Sequence, residues 1–528
     1  MLKPSTRRWL AGLGAVGALV AASATSASAA AATVDLGVYF DDTTLALGSD
    51  GKIASPTVYA SEPVTVHDFS IRYDYRDLAD KVTLSPESGS GDCATPERGV
   101  LVCTSPFEVE LYDWAYGGLS DVKITPTAAA VDGDTGDVKV TVSGAGVTSA
   151  SNTGKVRIGE GVDLAGGPEV QRSAAPGGTF TAPLVLGNPG KTTAKGAAVI
   201  FDHDPSIKPG RKYSNCTYEG DELRTCSFPD LTVAAGETWS AEVPYALAKD
   251  AYAPGQDYGY HNWMTVAEFE DFTKFLDSLG ISVGKPGDGG PLTLARKSAA
   301  RGVQADINPD NNWSGMEVTA TGKNGADLVA VGGSLTGEAG AVVKATVGLR
   351  NDGPASLYFG RSGNPVTKVD LTVPTGTTAV QVPDDCVPFT GKDEDYENAG
   401  KPGFRQYRCW TDFAIAAGET QTVDFGLRID KVVPNATGTV TINAKCECDG
   451  FTKDTNPAND VAKLLVNASS TGGGQGDGQG GGGGDDDGGT LPITGSSTAL
   501  IAGVGGLLLV AGVGGYLVAR RRRTRFVA

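Results

Sequence analysis

Histidine is almost missing from this chain: His67, His203 and His261 are the only three in 528 residues. They lie far apart and match no metal or catalytic-triad spacing, and neither H-E-x-x-H nor G-x-S-x-G occurs. The local signatures of zinc proteases and serine hydrolases are therefore missing; spatial convergence of the histidines stays open, and isolated structural histidines are expected. Positive charge is short too, with 44 Lys and Arg against 62 Asp and Glu and a formal net charge of −18. Such a surface repels phosphates, which argues against nucleic-acid binding and anionic-lipid docking. Acids are so common that no pair stands out as glycosidase-like. "LGNPGKT" (Leu186 to Thr192) holds two residues between its glycines. A phosphate loop needs four, so this stretch reads as a hairpin turn. The chain is read as a non-enzyme with no cofactor and no metal site.

Helical periodicity is scarce as well. What fills the space is period-two alternation bounded by Gly, Pro, Asn and Asp: "HDFSIRYDY" from His67, "DVKVTVSG" from Asp137, "VVKATVGLRNDGP" from Val342 and "TGTVTINA" from Thr437. That pattern predicts short, half-buried antiparallel strands, and their spacing predicts β-sandwiches. One helix is predicted in "AEFEDFTKFLDSLG", with Phe269, Phe272, Leu276 and Leu279 on one face and Gly280 as its stop.

Two stretches repeat. "GGTFTAPLVLGNPGK" (Gly177 to Lys191) matches "AGAVVKATVGLRNDGP" (Ala339 to Pro354), and "LTVAAGETW" (Leu231 to Trp239) matches "FAIAAGETQ" (Phe413 to Gln421). Each unit closes on an Asx-Pro turn, "DINPDNN" (Asp306 to Asn312) or "DTNPAND" (Asp454 to Asp460). Three tandem modules follow, at 30–159, 160–320 with the helix as an insertion, and 321–466. The first lacks a clear "AAGET". Residues 467–490 are Gly- and Asp-rich and bury no core; about 20 such residues span roughly 25 Å, as a flexible linker.

The ends differ from the middle. Residues 1–29 read as a signal peptide, with Lys3, Arg7 and Arg8 before an apolar run and Ala27-Ser28-Ala29 as the cleavage site. "TRRWL" has the paired arginines of a twin-arginine signal, but Sec-type export is expected. Residues 497–519 are uncharged and read as a transmembrane helix; 520–528 form a cytoplasmic tail in which Arg520, Arg521, Arg522 and Arg523 stop export. Setting aside the eight bases at the two ends leaves 36 bases against 62 acids, or −26, for the exported part.

Between linker and apolar run stands Leu491-Pro492-Ile493-Thr494-Gly495. In this order the C-terminus resembles the LPXTG sorting signal of Gram-positive surface proteins anchored by sortase. The resemblance implies cleavage between Thr494 and Gly495 and covalent transfer to peptidoglycan, so the chain is sortase's substrate, secreted and wall-anchored, with transient or residual single-pass membrane retention. Pro492 keeps Leu491 extended for a peptide groove, and Gly495 allows close backbone approach. The modules resemble the Ig-like, cell-adhesion-related repeats of bacterial wall proteins. The Ala/Gly/Val/Asp-rich composition leans towards an actinobacterial source. No "YPK" occurs, so pilus-shaft polymerisation is not indicated. The implied role is adhesion, wall structure or display; the alternative is a calcium- or glycan-binding receptor retained by its transmembrane helix, with a surface protein or glycan as ligand.

Eight cysteines in an exported chain imply disulfides. Cys93/Cys103, Cys216/Cys226 and Cys386/Cys409 are the expected pairs. Cys446 and Cys448 share a strand face and either bridge each other or cross with Cys386 and Cys409; an oxidising compartment disfavours a four-cysteine zinc site. "DGDTGD" (Asp132 to Asp137) and the two Asx-Pro turns carry oxygen donors suited to calcium, though none completes a twelve-position loop, so Asx turns are favoured. "AYAPGQDYGYHNWM" groups Tyr252, Tyr258, Tyr260 and Trp263. Core packing is the favoured reading, and a stacking platform for sugar or protein is the other.

Overall fold

The computed structural model describes residues 34–467 apart from 88–90, 113–118, 295–302, 392 and 444–452. The signal peptide, linker, sorting motif, apolar run, arginine tail, Cys446 and Cys448 lie outside the described residues. Among the described residues, no helix is long and apolar enough to cross a membrane.

The chain is mainly β, and one strand order recurs three times. In the third module one sheet runs Leu328–Val331, Val342–Asn351, Thr420–Ile429, Thr377–Gln381. The facing sheet runs Gly333–Leu335, Val461–Val466, Ala436–Ile442, Lys368–Thr372, Gln406–Trp410, Cys386–Pro388. This is the two-sheet order of an immunoglobulin-like sandwich, extended by a hairpin at one edge. The second module repeats it; the first keeps the order of the larger sheet, while its smaller sheet is split into two three-stranded pieces, Val147–Thr148, Val34–Tyr39, Thr57–Ala60 and Lys52–Ala54, Val122–Pro126, Val82–Pro86. In all three the opening strand splits between the sheets. Its second half pairs parallel with the closing strand: Thr43–Ala46 with Ala150–Val162, Val170–Ala174 with Trp313–Asn324, and Gly333–Leu335 with Val461–Val466. Ala150–Val162 runs on past 159 and Trp313–Asn324 past 320, so regular structure carries through both expected boundaries.

The alternation read from sequence is the alternation of burial. Ala345, Val347 and Leu349 are buried while Lys344, Thr346 and Arg350 face solvent. Val66, Phe69, Ile71 and Tyr73 are buried, and the period slips at His67 and Asp68, where Asp68 has φ 51° opposite a bulge between Ser143 and Ala145. Each module closes its own core, around Tyr73, Trp263 and Tyr407 respectively.

The repeated motifs prove to be partners. Asn188 and Asn351, the asparagines of the strand-end turns, are buried. The Asn188 N–H donates to the Glu237 carbonyl at 2.9 Å, and its own carbonyl accepts from Gly236 at 2.7 Å; Asn351 does the same with Glu419 at 2.9 Å and Gly418 at 2.8 Å. Gly236 and Gly418 have φ of 77° and 79°, a conformation that favours glycine. The glutamates cap their own turns, accepting from Ala234 at 3.1 Å and Ala416 at 2.6 Å.

The three expected disulfides form in the edge hairpin of each module. Cys93 joins Cys103, Cys216 joins Cys226 and Cys386 joins Cys409, each pair directly opposed, with Cα–Cα distances of 4.0, 3.9 and 4.3 Å. Cys386 pairs with Cys409, so crossing these two with Cys446 and Cys448 does not occur. The first module lacks the "AAGET" turn yet keeps the order of its larger sheet and the staple.

Cys103 and Cys226 form the expected bonds and are fully buried. The reason is register. Cys103 stands opposite Ile71 and Cys226 opposite Val199, each a buried residue of the neighbouring strand. Directly opposed residues share a sheet face, so Cys103 belongs to the core of the first module and Cys226 to that of the second.

The helix forms at Val266–Ser278, started by a Thr265/Glu268 capping box. Gly280, at φ 70°, follows its end. Phe272 and Leu276 bury against Ile200 of the second module. The opposite side reaches the first module. Thr44 Oγ1 donates to Asp271 at 2.6 Å, Lys274 Nζ to Asp42 at 2.9 Å, and Arg157 and Lys52 pair with Asp271 and Glu268. Gln304–Asp306, in the same insertion, adds a parallel strand to the edge of Ala150–Val162.

Candidate functional site

Two of the three histidines converge. His203 and His261 lie on neighbouring strands, in register with Gly259 and Phe201. Their rings pack among Phe201, Tyr245 and Trp263 at centroid distances of 5.3 to 6.5 Å. Burial pushes His203 down to about 3, helped by the neighbouring His261, and His261 down to about 4. Both are neutral at pH 7, and no acid, nucleophile or metal cluster joins them among the described residues. His67 is exposed, 3.1 Å from Glu108.

The cysteines form no reactive site either. Cys103, Cys216, Cys226 and Cys386 are fully buried and Cys409 nearly so. All six described sulfurs are bonded in pairs, and no free cysteine remains among the described residues. Their part is structural: each bond fixes an edge hairpin and presents apolar sulfur to a module core.

The Asx-Pro turns tie the ends of the second and third modules to their starts. Asp306 accepts from the Leu164 and Asn308 N–H groups at 2.7 Å each, and Asp454 from Leu328 at 2.7 Å and Asn456 at 2.8 Å. Asn311 donates to Asp163, and Asn459 to Asp327, both at 2.9 Å. Burial and the neighbouring Glu268 push Asp306 up to about 7; burial and Asp454 push Asp460 up to about 6. In "DGDTGD", Asp134 caps the Val131 N–H at 2.8 Å and pairs with Lys81 at 3.0 Å. These oxygens close turns, as the sequence favours.

The aromatic group divides. Trp263 is fully buried and donates from Nε1 to the Val185 carbonyl at 2.7 Å. Tyr260 is 38% exposed and lies under the Arg361 guanidinium at 5.1 Å. Tyr252 lines a cleft of about 480 Å³ between the second and third modules. Inter-module clefts are a common place for ligand sites, and this one is the candidate site.

The cleft exists because two modules meet over a short connection. Asn324 ends one strand and Leu328 begins the next. The Ser356 N–H donates to the Asp250 carbonyl at 2.7 Å, and Asn324 to the Ala251 carbonyl at 2.8 Å. Arg361 crosses the junction. It pairs with Asp204, reaches Asp202 Oδ2 at 3.1 Å, and donates to the carbonyls of Asp202 at 3.2 Å and Tyr258 at 3.1 Å. Burial lifts Asp204 to about 6 against the pull of Arg361. Asp257 is raised by burial while the Ser206 hydroxyl pulls it down. Burial, with Asp204 adding, pushes Tyr358 up to about 12. Arg361 and its carboxylates escaped the sequence reading, because nothing in "FGRSG" or "FDHDPS" signals a partner some 160 residues away.

No known family profile matches the chain, and no curated protein matches it. Among solved structures, the Dpr2 Ig1-Ig2 complex with DIP-Theta Ig1-Ig3 shares 6% identity over 82% of this chain and 99% of that one, with a TM-score of 0.19. CaCohA2 from Clostridium acetobutylicum shares 19% identity over 24% of this chain and 91% of its own, with a TM-score of 0.15. A protein of Corynebacterium diphtheriae described as membrane anchored shares 12% identity over 83% of this chain and 93% of its own, with a TM-score of 0.16. Similarity at this level carries no functional weight, and the fold assignment rests on the strand order.

Proposed function

We propose that this chain is an exported, non-enzymatic surface protein, joined to peptidoglycan by a sortase, with a role in adhesion, wall architecture or display. The observation that carries the reading is the succession of Leu491-Pro492-Ile493-Thr494-Gly495, the apolar run 497–519 and Arg520 to Arg523. The sortase thiolate adds to the Thr494 carbonyl and the Thr494–Gly495 bond breaks. Gly495 leaves as an amine with the membrane segment; a wall-precursor amine then displaces the thiolate and forms an amide on Thr494. Three cross-strand disulfides support an oxidising exterior. The strand and helix that fasten the first two modules together suit a molecule that must project.

Mass spectrometry of wall fragments released by muramidase is the test. The expected product is a C-terminal peptide ending at Thr494 and bearing a peptidoglycan stem. Recovery of chains that keep Arg520 to Arg523 and dissolve in detergent alone would overturn the reading.

A further inference from the structure

Wall attachment makes no use of the cleft between the second and third modules. Three carboxylates line it: Glu419, which caps its own turn at Ala416, and two aspartates each held by a serine hydroxyl, with Ser206 donating to Asp257 and Ser356 to Asp250 at 2.5 Å. Among the described residues neither aspartate forms an ion pair, and the nearby Arg361 directs its guanidinium to Asp202 and Asp204. Tyr252, Tyr358 and Phe359 supply aromatic walls. The adjoining latch shows how such a set is satisfied: a guanidinium over the Tyr260 ring, between two aspartates. The cleft holds a similar set of acids and rings, and the lysines in its lining, Lys208 and Lys453, form no ion pair with Asp250 or Asp257 among the described residues.

We infer that the cleft binds the cationic side chain of a lysine or arginine in an extended segment of a partner protein. Asp250 and Asp257 are the counter-ions, and the three rings face the ligand's stem and charge. The volume of about 480 Å³ accommodates such a side chain with its flanking backbone. The net charge of −18 draws basic partners in and repels anionic ligands. Lys208 and Lys453 also line the cleft and oppose the cation, which gives the assignment a test of sign.

The inference stands apart from wall anchoring and is tested on the full chain in detergent. The probes are a labelled Gly/Ser peptide with one central arginine, its glutamine and glutamate counterparts, and a neutral trisaccharide, read by fluorescence anisotropy. The arginine peptide binds saturably, weakens as salt is raised, and loses at least about tenfold in affinity in Asp250→Asn or Asp257→Asn. Lys208→Glu binds it more tightly. Equal binding of the glutamine peptide, displacement by the trisaccharide, or weaker binding by Lys208→Glu overturns the inference. So does unchanged binding in an Asp250→Asn/Asp257→Asn double variant that melts like the parent, or no saturable binding at all.

Discussion

His203 and His261 spend their chemistry on packing, and this has a pH signature. Their folded values, about 3 and about 4, lie below the ~6.5 of an unfolded histidine. Between those limits the unfolded chain binds more protons. The neutral rings therefore contribute full stability above about pH 6.5 and lose it as pH falls towards 4. Buried carboxyls with raised values act in the opposite sense: Asp41 and Asp306, near 7, and Asp204, near 6, lose stability as pH rises through about 4 to 7. The two sets offset each other, so a wild-type profile alone does not isolate the histidines. His261→Phe does, because His261 Nε2 is buried without a hydrogen-bond partner and no group is orphaned by its loss. At pH 7.5 the variant should melt close to the parent. At pH 5 it should gain on the order of 2 kcal/mol relative to it. Calorimetry across that range checks the sign, and a constant difference between the two proteins would rule out the histidine contribution.

At the scale of elements, the insertion of the second module shows local sequence and long-range assembly acting together. Thr265 caps the helix, and its hydroxyl also donates to the Gln304 carbonyl at 2.8 Å, beside the strand added to the first module. Thr265→Ala removes both, at a cost of about 1–2 kcal/mol. Hydrogen exchange should then rise together in Val266–Ser278 and Gln304–Asp306 and stay unchanged in the third module. A rise in the helix alone would mean that the two pieces are not coupled. The helix was legible from Phe272, Leu276 and Gly280, because amphipathic spacing is local. Strands were legible wherever one face is solvated, as from Val343 to Leu349. The edge staples were legible because each pair of cysteines closes one hairpin. The burial of Cys103 and Cys226 was not, since it depends on the strands of Ile71 and Val199 lying alongside. The strand Gln304–Asp306 was hidden too, since its partner, Ala150–Val162, is distant in sequence and three residues carry no period. So was the cleft, where Asp250, Asp257 and Tyr358 converge only after two modules dock. The first module's kinship was obscured for a similar reason: it keeps the strand order without the "AAGET" turn, and strand order is not written as a motif.

At the scale of the whole molecule, the two junctions differ in kind. The first and second modules share a sheet edge, a docked helix and several ion pairs. The second and third meet through fewer contacts: backbone bonds, the Ser356–Asp250 side-chain hydrogen bond, Tyr252 packed against the third core, and one arginine. Arg361 is 23% exposed and holds Asp204, which is 7% exposed, so removing the cation leaves a buried carboxylate without its partner. Breaking such a pair costs about 3–5 kcal/mol if the surroundings stay closed. Opening the junction hydrates Asp204 and costs less, because no module core has to unfold. Arg361→Ala should therefore loosen the hinge at 325–327 while each module keeps its own melting transition. Small-angle scattering should show a broader distribution of dimensions, and limited proteolysis should cut in that connection. Arg361→Lys keeps the charge but loses the fork that reaches both aspartates and two carbonyls, so it should fall between parent and alanine variant. Unchanged scattering and protease resistance in Arg361→Ala would show that the backbone contacts around Asp250 and Ser356 hold the two modules without it.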